Sequence, residues 1–150
     1  MEYEKIKKFT KVFLDIMFYS GIVVLITVPI WLKWAGNHYS KAIGEYYISM
    51  LLIFAASGIC GILIINELRK MMRTVVQKNC FVRENIRSLR RMGKESLCIS
   101  AFFIIKVFFI PTPATMIIVL VFFIAALFSV VLSCVFQEAV NYKEENELTI

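Results

Sequence analysis

The stretch "ATMIIVLVFFIAALFSVVLSCVF", Ala114–Phe136, contains no charged side chain. As a helix it is long enough to cross a bilayer, because about 20 apolar residues span roughly 30 Å of hydrocarbon. Three further windows read the same way outward from it: Val12–Leu32 ("VFLDIMFYSGIVVLITVPIWL"), Tyr47–Asn66 ("YISMLLIFAASGICGILIIN") and the shorter Leu97–Thr112 ("LCISAFFIIKVFFIPT"). The chain has 150 residues, 59% of them hydrophobic, and a mean hydropathy of +0.74. A water-soluble domain of that size and composition would expose large apolar patches. The expected fold is therefore an all-α integral membrane protein, a four-transmembrane-helix antiparallel bundle forming a single domain over 1–150. The first window is too long for a signal-peptide core, and Leu32-Lys33-Trp34-Ala35 makes a poor cleavage site.

Cation placement sets the expected orientation. Met1–Lys11 and Glu67–Ser96 together hold thirteen Lys and Arg, whereas Lys33–Tyr46 holds two and the turn Pro111–Ala114 none. Both termini and the middle segment should share the cytoplasmic compartment. The formal net charge of +6 thus reflects topology before it suggests nucleic acid.

The middle segment is more ordered than orientation alone requires. Arg83, Arg87, Arg90, Arg91 and Lys94 recur at helical spacing, beside Val82, Ile86, Leu89, Gly93 and Leu97. The spacing predicts an amphipathic helix lying against the inner leaflet or under the bundle and running on into the third window. Glu67–Gln77 should prolong the second. Lys78–Cys80 should break the two, with Asn79 left-handed and Phe81 wedged at the corner. The plain reading of this hairpin, 67–96, is an anchor for anionic lipid at the cytoplasmic leaflet. Direct nucleic-acid binding is disfavoured, since no helix-turn-helix pattern precedes it and a membrane-bound helix does not readily enter a major groove.

Through "CFVRENIRSLRRMG", Cys80–Gly93, and especially Phe81, Glu84, Asn85, Leu89 and Gly93, the chain resembles the domain of unknown function 2975 family of small four-span bacterial membrane proteins. The tail "VFQEAVNYKEENELTI", Val135–Ile150, adds to the likeness through Glu145, Glu147, Leu148, Thr149 and Ile150. It departs from the family where Val82 replaces a helix-capping Ser or Thr, and where Glu147 replaces a commoner Asp. The resemblance implies a bacterial inner-membrane setting and a Cro/CI-like helix-turn-helix regulator as partner, held or released by the membrane protein. Phe81 and Asn85 would then shape the hairpin, Arg87, Arg90, Glu145 and Glu147 would supply charge complementarity, and Leu148 and Ile150 would dock. An acidic tail ending in an extended "ELTI" suits that role, because it can compete with phosphate for a regulator's cations; the simpler reading folds it back on Arg83–Lys94. A self-sufficient immunity or resistance protein against a membrane-active peptide is the alternative function.

Other features look chemical and read as structural. Cys60, Cys80, Cys98 and Cys134 form no C-x-x-C and His38 lies on the other side, so neither metal nor cofactor is expected. No nucleophile has a positioned base, so an enzyme is not expected. Asp15 and Lys106 are charges inside spans and hence functional suspects, but their heights differ by roughly 15–20 Å at 1.5 Å per residue. Asp15 should find the basic cluster and Lys106 should snorkel outward. A small transporter would require one of them to be essential. Ser57-x-x-x-Gly61 and Ala125, Ser129 and Ser133 are spaced for close helix packing, within this chain or between copies of it. Pro29 should bend the first span, and "PTP" at Pro111–Pro113 should force a tight turn.

Overall fold

The computed structural model describes residues 1–149, and these form helices α1 (Glu2–His38), α2 (Lys41–Glu45), α3 (Tyr47–Val76), α4 (Arg83–Phe109) and α5 (Pro113–Leu148), with no strand among them. Each break has a local cause. Val82 is extended immediately before α4, and no side chain caps that helix, as the missing Ser or Thr foretold. Ile110 is extended before Pro111, where a following proline disfavours helical backbone. Thr112 then caps α5, accepting a hydrogen bond from the Thr115 amide, with Pro113 in the first turn. The left-handed residue after α3 is Lys78, at φ 59°, and not Asn79. Pro29 lies within α1 without ending it, and its carbonyl accepts from Tyr47 Oη.

Three helices are long and apolar enough to cross a membrane: α1, α3 and α5. The Leu97–Thr112 window belongs to α4, which does not meet that standard on its own. The reason is length. Its apolar part runs only from Leu97 to Phe109, after a first half rich in Arg, Lys and Glu.

The helices pack antiparallel in chain order. Arg69 meets Asp15 and Gly58 meets Leu25 across α1 and α3; Ser88 meets Glu67 and Phe103 meets Phe54 across α3 and α4; Arg83 meets Glu144 and Lys106 meets Thr115 across α4 and α5. No Cα of α1 comes within 8 Å of α4 or α5, nor any of α3 within 8 Å of α5. The long helices therefore pack each against the next, as an open series. A bundle in water must close to hide its apolar faces, whereas lipid covers those of α1 and α5 at little cost.

The amphipathic half of α4 does not lie flat on a surface. It packs between α3 and α5 through Asn85, Ile86, Ser88, Leu89, Gly93, Ser96, Ile99, Ser100 and Phe103, all buried. Leu97, expected on this face, is exposed; Ser96 and Ser100 hold the contact instead. The small side chains bring α5 close. A Cβ on Gly93 would stand 3.2 Å from Val130 Cγ2 and 3.4 Å from the Ala126 carbonyl, and Ser129 and Ser133 are buried on the same face of α5. Between α1 and α3 the close glycine is Gly58, whose Cβ would lie 2.7 Å from Leu25 Cδ1, whereas Gly61 faces open space. Of the expected Ser57-x-x-x-Gly61 pair, Ser57 is buried, but the close glycine is its neighbour Gly58 and not Gly61, because the helix presents Gly58 to α1.

The Gly93 contact gives a direct test. Gly93→Ala should be accommodated by a shift of a few tenths of an ångström at Val130, whereas Gly93→Leu should cost about 1–3 kcal/mol by overpacking. Thermal unfolding of the purified variants in one detergent measures the difference.

Candidate functional site at the charged end of α3, α4 and α5

Glu67 is the first acidic residue after the apolar run of α3, and its side chain is only 8% exposed. A buried carboxylate needs partners. Glu67 has three: Ser88 Oγ donates to Oε2 at 2.7 Å, while Lys70 Nζ and Arg91 Nη1 donate to Oε1 at 2.8 and 3.4 Å. Burial alone would raise its pKa, but the hydrogen bonds from Lys70, Ser88 and Arg91 outweigh that and hold it below the ordinary carboxylate value. Both oxygens are taken up in structure. This carboxylate ties α3 to α4.

One turn further along, Asn85 is 2% exposed. Its amide donates to Thr74 Oγ1 at 2.7 Å and to the Cys80 carbonyl at 2.6 Å, so it fastens the 77–82 turn to the helices it joins. Phe81 does stand at the corner, and its ring meets Phe136 of α5 edge-on at 5.3 Å.

The last turns of α5 complete the charged end. Helix α5 continues to Leu148, so the expected extended "ELTI" is corrected: Glu147 and Leu148 are helical, and Ile150 lies outside the described residues. An unbroken helix can present Val140, which is buried, and Glu144 one turn later to the same neighbour. Glu144 takes a two-pronged hydrogen bond from Arg83, at 3.0 Å from Nε and 2.8 Å from Nη2. Lys143 Nζ donates to Asn79 Oδ1 at 2.9 Å. The bonds from Arg83 hold the Glu144 carboxyl below its usual pKa, and Glu144 raises that of Arg83. The fold-back of the tail onto Arg83 is therefore present, as a packed helix.

Of the residues singled out from sequence, Arg87, Arg90, Glu145, Glu147 and Leu148 are exposed, and Asn85 is turned inward. None of the four exposed charges enters an ion pair among the described residues. Between α3 and α4 opens a cleft of about 440 Å³ lined by Lys70, Arg73, Arg87 and Arg91, with Glu67 and Glu84. Four cations against two carboxylates leave it positive. Its chemistry is recognition by charge, since Glu67 and Asn85 are already spent on internal bonds.

The two charges expected inside spans, Asp15 and Lys106, lie apart and find different company. Arg69 Nε donates to Asp15 Oδ1 at 2.6 Å, and the guanidinium lies 4.5 Å from the Phe18 ring centroid. The Asp15 expectation holds. The Lys106 ammonium donates to Thr115 Oγ1 at 2.7 Å, a buried residue in the first turn of α5, across the Pro111 turn. Glu67 was missed as a site residue from sequence. Its only local signal is Lys70 three positions later; Ser88 and Arg91 become visible as partners only when α4 is docked.

A family model described as "Protein of unknown function (DUF2975)" matches residues 11–150. No curated protein and no solved structure matches the chain.

The Glu67 node predicts acid sensitivity with a defined sign. A depressed folded pKa means that its stabilisation is fully present above the unfolded value, near 4.5, and is lost as pH falls through the lower folded value. Melting curves taken downward through that range should show the wild-type chain losing stability more steeply than Glu67→Gln, which should start lower at neutral pH with Lys70 and Arg91 uncompensated. Asn85→Ala should cost about 1–3 kcal/mol, the range for stranding a buried hydrogen-bond partner, measured by the same melts.

Proposed function

The chain belongs to the DUF2975 family, whose function is unknown, and we propose that it is a four-crossing membrane protein whose charged end lies in the cytoplasm and docks a small helix-turn-helix regulator. The fourth crossing follows from connectivity. Helix α3 ends at the charged end and α5 begins at the opposite end, so if both cross, α4 returns the chain between them. Helix α4 extends about 40 Å over its 27 residues at 1.5 Å per residue; the apolar Leu97–Phe109 supplies about 20 Å of that, and the turns just before Leu97 complete the crossing. Burial of Ser96 and Ser100 against its neighbours supports a crossing helix less apolar than α3 and α5, because those hydroxyls are shielded from lipid, while its exposed charges lie in the half before Leu97. Cations concentrated at Met1–Lys11 and Glu67–Ser96 support the cytoplasmic assignment.

The observation that carries the docking role is the division of charge at this end. Arg83, Glu144, Glu67 and Asn85 make the internal bonds, whereas Arg87, Arg90, Glu145 and Glu147 remain exposed without ion-pair partners among the described residues. They stand on helices packed together through Gly93, Ser129 and Val140, with the Arg83–Glu144 pair beside them. A pre-ordered, two-signed surface favours association by electrostatic complementarity. Leu148, 87% exposed at the last turn of α5, supplies an apolar anchor of the helix-in-groove kind. The acidic end suits a DNA-binding module, whose surface is basic and shared with phosphate.

The test is co-purification of the tagged chain with a helix-turn-helix regulator encoded beside it. Glu145→Lys/Glu147→Lys, Arg87→Glu/Arg90→Glu and Leu148→Ala should each weaken the complex roughly tenfold or more, the effect of about 1.4 kcal/mol, with the amount of membrane-inserted protein unchanged. Retention of the regulator by all three variants rejects the docking surface. Orientation is checked separately with an Asn146→Cys variant and an impermeant maleimide. Labelling should require permeabilised cells; labelling of intact cells reverses the topology.

A further inference from the structure

At the end opposite the charged site, one ammonium opens into an apolar space. A cavity of about 330 Å³ is lined by Trp31, Ile43, Met50 and Ile110, with Lys106 and Thr112 its polar members. Val28 and Phe54 border it and also border a second cavity of about 400 Å³ that runs inward among α1, α3, α4 and α5. Together they form one seam. Gly21, Gly58 and Gly61 line the inner part, so no side chains from those positions fill it. Ser57 lies there too, its buried hydroxyl without a hydrogen-bond partner in the fold.

The Lys106 ammonium donates to Thr115 Oγ1 at 2.7 Å and stands 6.0 Å from the Phe54 ring centroid. Thr115 in turn shares a 2.6 Å hydrogen bond with Thr112 Oγ1 at the N-terminus of α5. No carboxylate pairs with Lys106 among the described residues. A cation in apolar surroundings favours an anion, and the helix N-terminus beside it favours the same sign. We propose that this seam binds a long-chain carboxylate, with its head on Lys106 and Thr112 and its chain passing Val28 and Phe54 into the inner cavity.

The charge and the space both argue for one chain with one negative charge. A single ammonium balances one carboxylate, and each volume is at the low end of the small-molecule range. A chain arriving from lipid gains little by exchanging one apolar environment for another, so the head group carries the discrimination. The site does not depend on the docking role; it needs only the surrounding helices in lipid, and its binding assay involves no regulator.

Radiolabelled hexadecanoate binding to the purified full chain in nanodiscs of zwitterionic lipid is the test. Saturable binding is expected, with hexadecanol competing at least tenfold less well. Because that comparison uses the wild-type chain, it holds whether or not variants fold. Lys106→Met should weaken binding at least tenfold and Lys106→Arg should largely restore it, while Ile99→Trp, which fills the inner cavity, should exclude the long chain but admit octanoate. Equal competition by hexadecanol, unchanged binding by Lys106→Met, or displacement by a diacyl phosphatidate as effective as by hexadecanoate overturns the proposal.

Discussion

A carboxylate buried where α3 leaves its apolar run is stable only while cations and hydroxyls reach it, and for Glu67 two of the three donors come from α4. That requirement sets how far α4 slides along α3. With Ser88 and Arg91 opposite Glu67, Asn85 falls opposite Thr74 and closes the turn onto the Cys80 carbonyl. Arg83, one half-turn earlier and on another side of α4, then faces Glu144 of α5. Moving α4 by one helical turn would strand Glu67, whose desolvation is costly without partners. The polar contacts therefore act as a register device, while the packing energy comes from elsewhere.

That packing is of the kind expected where lipid is the solvent. With no penalty for leaving an apolar face uncovered, helices associate where small residues let backbones approach. Gly93 against Val130 and Ala126, and Gly58 against Leu25, are two such contacts between long helices. The remaining faces of α1 and α5 stay apolar and exposed; Phe128 at 65% and Ile26 at 70% are representative. The same permissiveness leaves the gap among the four long helices that a water-soluble core would have filled. An open series and an internal seam have one cause.

Charges in this chain divide by depth. Near the charged end the pairs are made and the surplus is exposed, which favours contact with another surface. Asp15 is met by Arg69 within the α1–α3 contact. Lys106, at the opposite end, meets the Thr115 hydroxyl and the Phe54 ring and no carboxylate among the described residues. A cation left that way in apolar surroundings stands out against the otherwise complete pairing of buried charge, and it is the basis for assigning a ligand to that end.

Much of the architecture was legible from local pattern. Long apolar runs marked α1, α3 and α5; the spacing of Ile86, Leu89 and Gly93 marked the buried side of α4; and Pro111 and Pro113 marked the last turn. These are properties of short segments, governed by hydropathy and backbone sterics. Phe81 was legible as the corner residue for the same reason, whereas Asn85 was singled out through the family resemblance. The tail was misread as extended because its last residues were judged without α4, against which Val140 is buried and Glu144 meets Arg83 as α5 runs on. Leu97 and Gly61 were misread because spacing gives a face but not its angular aim. What the sequence by itself determined is a helical chain, its breaks, and the end at which its cations gather. The tertiary structure alone decided that Glu67 is a junction, that the helices stay open in series, and that Lys106 meets Thr115. Each of those depends on which residues of separate helices come within hydrogen-bonding or van der Waals reach, a distance that no local pattern along the chain contains.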